Sequence, residues 1–264
     1  MTFQNKVVWI TGASSGIGEA LAYAFAEKGA HLILSSRNER ELMRVKDNCK
    51  KESVIKIVPM DVSKHEQLFS IAEHVLDLVG HIDILINNAG VSQRGLAINT
   101  DLAVDKRIMD IDYFGTVALT KAVLPSMLKA QKGHIVVTTS VTGLVGIPGR
   151  STYSAAKHAL HGYFDALRAE IWLDNIKVLL VVPGYVKTNI SYNALTESGE
   201  PQNKMDDGQA NGISPKVLAR KIIKAIEKGQ NELHVAGFRE SLAICVQRFF
   251  PSLFAKIVRK AKTT

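Results

Sequence analysis

Tyr153 and Lys157 stand four residues apart within residues 140–157, SVTGLVGIPGRSTYSAAK. On a helix that spacing puts both side chains on one face, with an ammonium beside a phenol. A free tyrosine has a pKa of about 10 and is a poor base near neutrality. A neighbouring cation favours the phenolate and lowers that pKa. Ser140 precedes a loop bearing glycine and proline, where the chain can fold back over the Tyr/Lys helix. A hydroxyl, an activated phenol and an ammonium make a proton-transfer set suited to a carbonyl or an alcohol. The pair alone equally fits a surface tyrosine with an i,i+4 lysine, so the surrounding pattern decides.

That pattern alternates. KVVWI, HLILS, VIKIVP, IDILIN, HIVVTT and IKVLLVV read as strands, each separated from the next by a helical segment. They are apolar on both faces, as in a parallel sheet covered on both sides. In GIGEALAYAFAEKG, Ile17, Leu21, Ala24 and Phe25 share one helix face and Gly29 ends the helix. Alternating β and α units predict one doubly wound α/β domain. No linker rich in Pro, Gly or Ser divides it.

The first strand-to-helix turn is TGASSGIG, with Gly12, Gly16 and Gly18. Glycines there permit a tight turn and let backbone N–H groups approach a pyrophosphate, and the helix N-terminus adds partial positive charge. The spacing is not G-x-G-x-x-G. Its place between the first strand and first helix nevertheless points to a dinucleotide.

TGASSGIG, NNAG at 87–90, Ser140, YSAAK and the Pro183–Gly184 pair, in this order, resemble the short-chain dehydrogenase/reductase superfamily over residues 5–235. The resemblance implies a single Rossmann-type domain with a seven-stranded parallel sheet. It implies hydride transfer between a nicotinamide cofactor and a carbonyl or alcohol carbon. Tyr153 would be the general acid/base. Lys157 would lower its pKa and bind the nicotinamide ribose, and Ser140 would hold the substrate oxygen. The implied cofactor-binding set is Gly12, Ser14, Ser15, Gly16, Ile17 and Gly18 at the first turn, with Arg37 and Asn38 after the second strand. It continues with Asp61 and Val62 near the adenine, Asn88, Ala89 and Gly90 by its ribose, and Pro183, Gly184, Val186 and Thr188 on the nicotinamide side. Tyr153 and Lys157 belong to it as well. Read as residues alone, Asp61 also fits a helix start, and Asn87–Asn88 and Pro183–Gly184 fit simple turns.

One position departs from the family. Its fourth catalytic member is an asparagine that helps hold a relay water, and here MDIDYFGTV places Asp112 there. An ionised Asp accepts hydrogen bonds but donates none. Its charge either holds the Lys157 ammonium or draws it off the ribose.

The second strand ends LILSSRNER. An NAD enzyme of this fold carries an Asp or Glu about 20 residues past the glycines. Ser35, Ser36, Arg37 and Asn38 include no acid, and Arg37 suits a 2′-phosphate. The expected cofactor is NADP(H), and no metal is expected. The expected substrate is the carbonyl or secondary alcohol of a small hydrophobic molecule, lipid-, steroid- or retinoid-like. The alternative is a nucleotide-binding, membrane-associated interaction protein with little or no turnover, for which Asp112 leaves room.

Residues 1–237 are therefore expected to form the dinucleotide-binding and catalytic domain. Its polar, glycine-containing stretch at about 188–213 matches the family's substrate lid. Arg94 and Arg150 are expected to be solvated, and His158, His161 and Tyr163 to pack or face solvent. Residues 238–264 form a basic amphipathic tail. The net charge of +8 lies wholly from Lys216 onward, where eleven Lys/Arg face three Asp/Glu. A neutral domain with a basic end argues against nucleic acid. In the tail Leu242, Val246, Phe249, Leu253 and Ile257 recur at helical spacing, and Pro251 suits the start of a second short helix. This pattern fits a helix in a bilayer interface. It also fits a helix packed on the domain as a dimer contact or a wall of the substrate pocket. Two cysteines form no disulfide framework, the N-terminus lacks a signal-peptide pattern, and no run of about 20 apolar residues occurs. A cytoplasmic, non-secreted homo-oligomer (dimer or tetramer) is expected, peripheral on a membrane if the tail binds one.

Overall fold

A computed structural model describes residues 2–50 and 53–260. Seven strands form one parallel sheet: β1 (Val7–Thr11), β2 (His31–Ser35), β3 (Ile55–Ile57), β4 (Ile84–Asn87), β5 (Gly133–Thr138), β6 (Ile176–Pro183) and β7 (Glu232–Val235). Their order is β3-β2-β1-β4-β5-β6-β7. β1 shows why the strands are apolar throughout. Val8 and Ile10 point into one core, with Leu21 and Phe25 of helix α1 (Gly16–Ala26) and Ile222 of helix α8 (Pro215–Glu227). Val7 and Trp9 point into the other, with Leu68, Val123 and Phe164. Successive side chains face opposite sides of a strand, so a sheet covered on both faces leaves no polar register.

The second core is roofed by α3 (His65–Val79), α5 (Gly115–Ala130) and α6 (Ser151–Glu170). Helix α2 (Glu39–Asp47) follows β2. Helix α4 (Leu102–Met109) runs into α5 through a π-helical turn, Asp110–Phe114. Gly115 follows that turn because a Cβ there would stand 2.5 Å from the Val62 carbonyl oxygen.

After β3 the chain returns to β4 on the far side of β1, so the order reverses between β1 and β4. Ligands of open α/β sheets bind at such a point, outside the strand C-termini. The glycine turn after β1 and the Asn88–Ala89–Gly90 turn after β4 both open there. At the opposite edge Asp83 accepts from Val7 N (3.0 Å) and pairs with Lys6 (3.0 Å) and Lys132 (2.8 Å), tying the starts of β1, β4 and β5 together.

Residues 188–213 are folded, not an open loop. They hold a short helix, α7 (Asp207–Ala210), and bridges from Leu195 to Gln93 and Pro201. The chain ends in α9 (Phe238–Phe249) and α10 (Pro251–Val258). Phe254 is buried against Val141, Val145 and Val182, with Ala243, Ile244, Val246 and Val258 beside it. The single stripe expected from the tail sequence therefore splits. Val246 turns inward, while Leu242, Phe249, Leu253 and Ile257 are exposed. Within α9 the packed residues are Ala243, Ile244 and Val246, which leaves Leu242 and Phe249 outside, and past the bend at Phe250 (φ −136, ψ 60) Phe254 and Val258 take the packed face of α10.

Candidate active site

Helix α6 stacks Tyr153 and Lys157, both buried, with the Lys157 ammonium 5.7 Å from the centre of the Tyr153 ring. A 3-10 turn, Val141–Gly143, follows Ser140 and packs on this helix. Gly143 makes the approach possible, since a Cβ there would stand 2.9 Å from the Lys157 carbonyl oxygen. Ser140 Oγ accepts from Thr142 N (3.2 Å), which fixes the side chain and leaves its O–H free to donate.

Lys157 Nζ donates to the Thr138 carbonyl (3.2 Å) and pairs with Asp112 Oδ2 at 3.2 Å. Asp112 sits in the π-helical turn, fully buried, and its Oδ1 accepts from Val91 N (2.7 Å). Such a turn re-aims one side chain and recurs at functional sites. The ion pair is poorly aligned for a hydrogen bond, so Oδ2 keeps acceptor capacity. Burial favours the neutral amine of Lys157, but the charges of Asp112 and Tyr153 outweigh it and raise its pKa. Burial likewise raises the pKa of Asp112 despite the pull of Lys157. The site thus holds an ammonium against a carboxyl that is easier to protonate than a solvated one. Gly90 lies against the pair, since a Cβ there would be 3.3 Å from Asp112 Oδ1 and 3.4 Å from Lys157 Nζ.

The glycine turn is shaped as a cradle. Gly12 and Gly16 take φ of +63 and +59. A Cβ at Gly18 would stand 2.2 Å from the Gly12 carbonyl oxygen. Ser15 enters α1 in extended conformation with no side-chain cap bond, so the first-turn N–H groups at Gly16, Ile17 and Gly18 face outward beside Ser14. Thr188 closes over the turn, 3.0 Å from a Cβ at Gly16. Asn88 locks the two turns together through bonds to the Thr11 carbonyl (3.2 Å) and from Thr138 Oγ1 (3.3 Å). Thr11 Oγ1 accepts from Asn88 N and Ala89 N at 2.9 and 3.0 Å. These residues fit a dinucleotide pyrophosphate, because outward donors and a positive helix end meet where side chains have no room.

At the rim, Arg37 is exposed just past β2, and Asn38 spends its side chain capping α2 through Glu41 N (3.2 Å). Asp61 starts no helix, and its Oδ1 accepts from Ser63 N (3.0 Å) and Ser63 Oγ (2.8 Å). Burial would raise its pKa, but those bonds and nearby Arg37 hold it below the ordinary value. Val62 packs on Gly115. Pro183 ends β6, Gly184 N donates to the Val235 carbonyl (2.9 Å), and Val186 bridges Ile213.

Two expectations are corrected here. Arg94 and Arg150 are not solvated: Arg150 is buried and the Arg94 side chain is 6% exposed, both around Asp206, which Arg94 Nε reaches at 2.9 Å and Arg150 at 3.1 Å. The guanidinium fork suits a buried carboxylate, and this carboxylate comes from a loop far away in sequence. Sequence reasoning also passed over Gln93, Thr11 and Gln209, whose partners lie on other elements. Their only local signal is position: Thr11 ends β1, Gln93 follows β4 and Gln209 lies in the loop. Among the described residues no group of three or more His, Cys, Asp or Glu gathers as a metal site.

A doubly wound parallel sheet with a glycine turn at its switch point and a buried Tyr–Lys pair defines a nicotinamide-dependent oxidoreductase. The short chain dehydrogenase family model matches residues 6–198. The chain is 44% identical over 262 residues to dehydrogenase/reductase SDR family member 7B of Xenopus laevis, covering 97% of this chain and 81% of that one. It is 45% identical over 262 residues to the SDR family protein 7-like of Anopheles gambiae, covering 97% and 83%. A short chain dehydrogenase/reductase from Burkholderia phymatum in complex with NAD superposes with TM-score 0.84 at 25% identity, covering 96% of each chain. An alcohol dehydrogenase from Thermococcus sibiricus, complexed with 5-hydroxy-NADP, shares the fold with TM-score 0.76 at 24% identity, covering 89% and 96%. The chain belongs to the short chain dehydrogenase family.

Proposed function

We propose that the chain is an NADP(H)-dependent oxidoreductase of a carbonyl or secondary alcohol on a hydrophobic, lipid-, steroid- or retinoid-like substrate. The observation that carries this reading is the Lys157 ammonium held 5.7 Å from the Tyr153 ring, with the Ser140 turn packed on the same helix. In the reductive direction Tyr153 gives its proton to the substrate oxygen while Ser140 donates a hydrogen bond to it. Lys157 keeps positive charge beside the phenolate that forms, which lowers the cost of that proton transfer. Asp112 keeps Lys157 charged, and its spare Oδ2 acceptor site would hold a water through which a proton from solvent returns to Tyr153. NADP(H), when bound, supplies or accepts the hydride. The first turn would hold its pyrophosphate, Asp61 and Val62 its adenine, and Arg37 with Asn38 its 2′-phosphate. Residues 188–213 would cover the substrate.

Support for a hydrophobic substrate comes from the exposed apolar residues Leu96, Ile98 and Leu102 near the loop and from the tail packed on residues 141–147. The tail's outward Phe249, Phe250, Leu253 and Ile257, with Arg248, Lys256, Arg259 and Lys260, support peripheral attachment to anionic membranes. No helix among the described residues is long and apolar enough to cross a membrane. We treat residues 238–264 as an appendage to the 1–237 domain and expect a homo-oligomer. The second reading, nucleotide binding with little turnover, is favoured by one feature, the close Asp112–Lys157 pair in place of the family's asparagine.

NADPH oxidation with a panel of apolar ketones and aldehydes tests the choice. Wild type should turn over at least one, and Tyr153→Phe should lose on the order of a hundredfold or more in kcat while still binding NADPH. Activity in Tyr153→Phe equal to wild type would overturn the assignment.

A further inference from the structure

Helix α6 begins without a cap of its own. Arg150 occupies the N-cap position and makes no side-chain cap bond. It has no acceptor to offer, because a guanidinium only donates. The first N–H groups of a helix nevertheless need partners. They find one far away in sequence. Gln93, fully buried, directs Oε1 at Thr152 N (2.9 Å) and Tyr153 N (3.2 Å). Its Nε2 donates to Thr100 Oγ1 (3.4 Å), which fixes which amide atom faces the helix. The backbone on either side is pinned as well. Arg94 N donates to the Leu195 carbonyl (2.8 Å), and Leu195 N to the Ser92 carbonyl (2.9 Å).

We propose that Gln93 is a positioning residue for Tyr153, a cap supplied from the segment after β4 that sets the first turn of the catalytic helix against both the cofactor turn and the substrate loop. The inference rests on the reading of Tyr153 as acid/base. Three parts meet in this one side chain. Gln93 lies three residues past Gly90 of the cofactor turn, its backbone bridges the substrate loop at Leu195, and its amide oxygen holds the peptide N–H of the catalytic tyrosine. Without the cap the first turn is free to fray, and Tyr153 drifts from Lys157, which lies one turn further into the helix. A phenolate further from the ammonium is less stabilised, so proton transfer from Tyr153 costs more. The charged groups around this turn are Lys157 and Arg150 on α6, Asp105 of α4 (bonded to Thr152 Oγ1), Asp112 of the π-helical turn, and Arg94 with Asp206 beyond Arg150. Tyr185, whose ring lies 6.0 Å from the Arg150 guanidinium, and Tyr113, next to Asp112, are further phenols near them.

The test compares wild type, Gln93→Met, which keeps the volume and removes the acceptor, and Gln93→Glu, which keeps an acceptor oxygen. Three quantities are measured: kcat, KM for the carbonyl substrate, and NADPH affinity by titration of the cofactor. Gln93→Met should lower kcat by on the order of tenfold to a hundredfold and leave KM and NADPH affinity within about twofold. Gln93→Glu should keep most of kcat at its own pH optimum. A folded Gln93→Met protein with wild-type kcat, or with KM and NADPH affinity weakened as much as kcat, overturns the proposal, even if its melting temperature falls. If Gln93→Met does not fold, a folded Gln93→Glu protein decides: loss of kcat overturns the proposal and retention supports it. A wild type that oxidises NADPH with nothing on the panel, or a Tyr153→Phe protein as active as wild type, would instead sink the acid/base reading.

Discussion

At the residue scale the departure at Asp112 has the largest chemical consequence. An asparagine there would be neutral, whereas the carboxylate sits 3.2 Å from Lys157 with no exposure to water. Burying one charge alone is costly, and each of these charges offsets the other's cost. Asp112→Asn keeps an acceptor for Val91 N and adds a donor, so it should retain or raise kcat. Asp112→Ala leaves the ammonium without its partner and should lower kcat roughly tenfold or more. Loss of activity in a folded Asn variant, checked by steady-state kinetics, would show that the carboxylate is required. In the proposed NADP(H) reading, Arg37 carries cofactor choice by the same electrostatic reasoning. It is exposed and faces Asp61, with no acid among its neighbours on the β2 turn. Wild type should bind NADPH more tightly than NADH by titration, and Arg37→Ala should shrink that preference about tenfold, one charge-assisted contact. Equal or tighter binding of NADH by wild type would contradict it.

At the scale of elements, Asp83 is the polar joint that sets β1, β4 and β5 in line at their starts. Burial alone would raise its pKa, but bonds from Lys132, Val7 N and Lys6 bring it down to about 2 from an ordinary 3.8. The sign follows from linkage. A carboxyl whose folded pKa is depressed contributes stability above its unfolded pKa and loses it as pH falls through the folded value. Its contribution, about 2 kcal/mol, should be present near neutrality and vanish between about pH 4 and pH 2. Asp83→Asn should therefore cost about 2 kcal/mol in denaturant melts at neutral pH and only a small fraction of that near pH 2. A cost that does not change with pH would assign the loss to packing alone.

At the scale of the whole molecule the two apolar faces of the tail make separable demands. Phe254 faces in and covers the turn that carries Ser140, while Phe250 and Leu253 face out. Charge at the outward pair, Phe250→Asp with Leu253→Asp, should abolish co-sedimentation with anionic vesicles at low salt and leave kcat on a soluble substrate unchanged. Each basic residue near an anionic surface adds about 1 kcal/mol, so wild-type binding should weaken as salt is added. Truncation after Gly237 should abolish vesicle binding and also lower activity, because residues 141–147 lose their cover. Wild type remaining in the supernatant at low salt would make the tail a packing element only.

Local pattern determined much of this protein. Strands apolar on both faces, glycines after β1 and the Tyr153–Lys157 spacing are each written within a few residues, because strand period, turn geometry and helix pitch are short-range rules. The Pro251 start of α10 is legible for the same reason. The tertiary structure alone decided where the polar side chains spend their bonds. Gln93 reads as one more loop residue until α6 is brought against it, and Arg94 and Arg150 read as solvated until Asp206 arrives from residues 188–213. Whether Asp112 would disturb Lys157 or hold it depended on the π-helical turn that aims it. The tail's two faces depended on which residues of α9 and α10 meet Val141, Val145 and Val182. These outcomes rest on contacts between residues distant along the chain. A buried polar group takes whichever partner the fold supplies, and sequence periodicity carries no record of that choice.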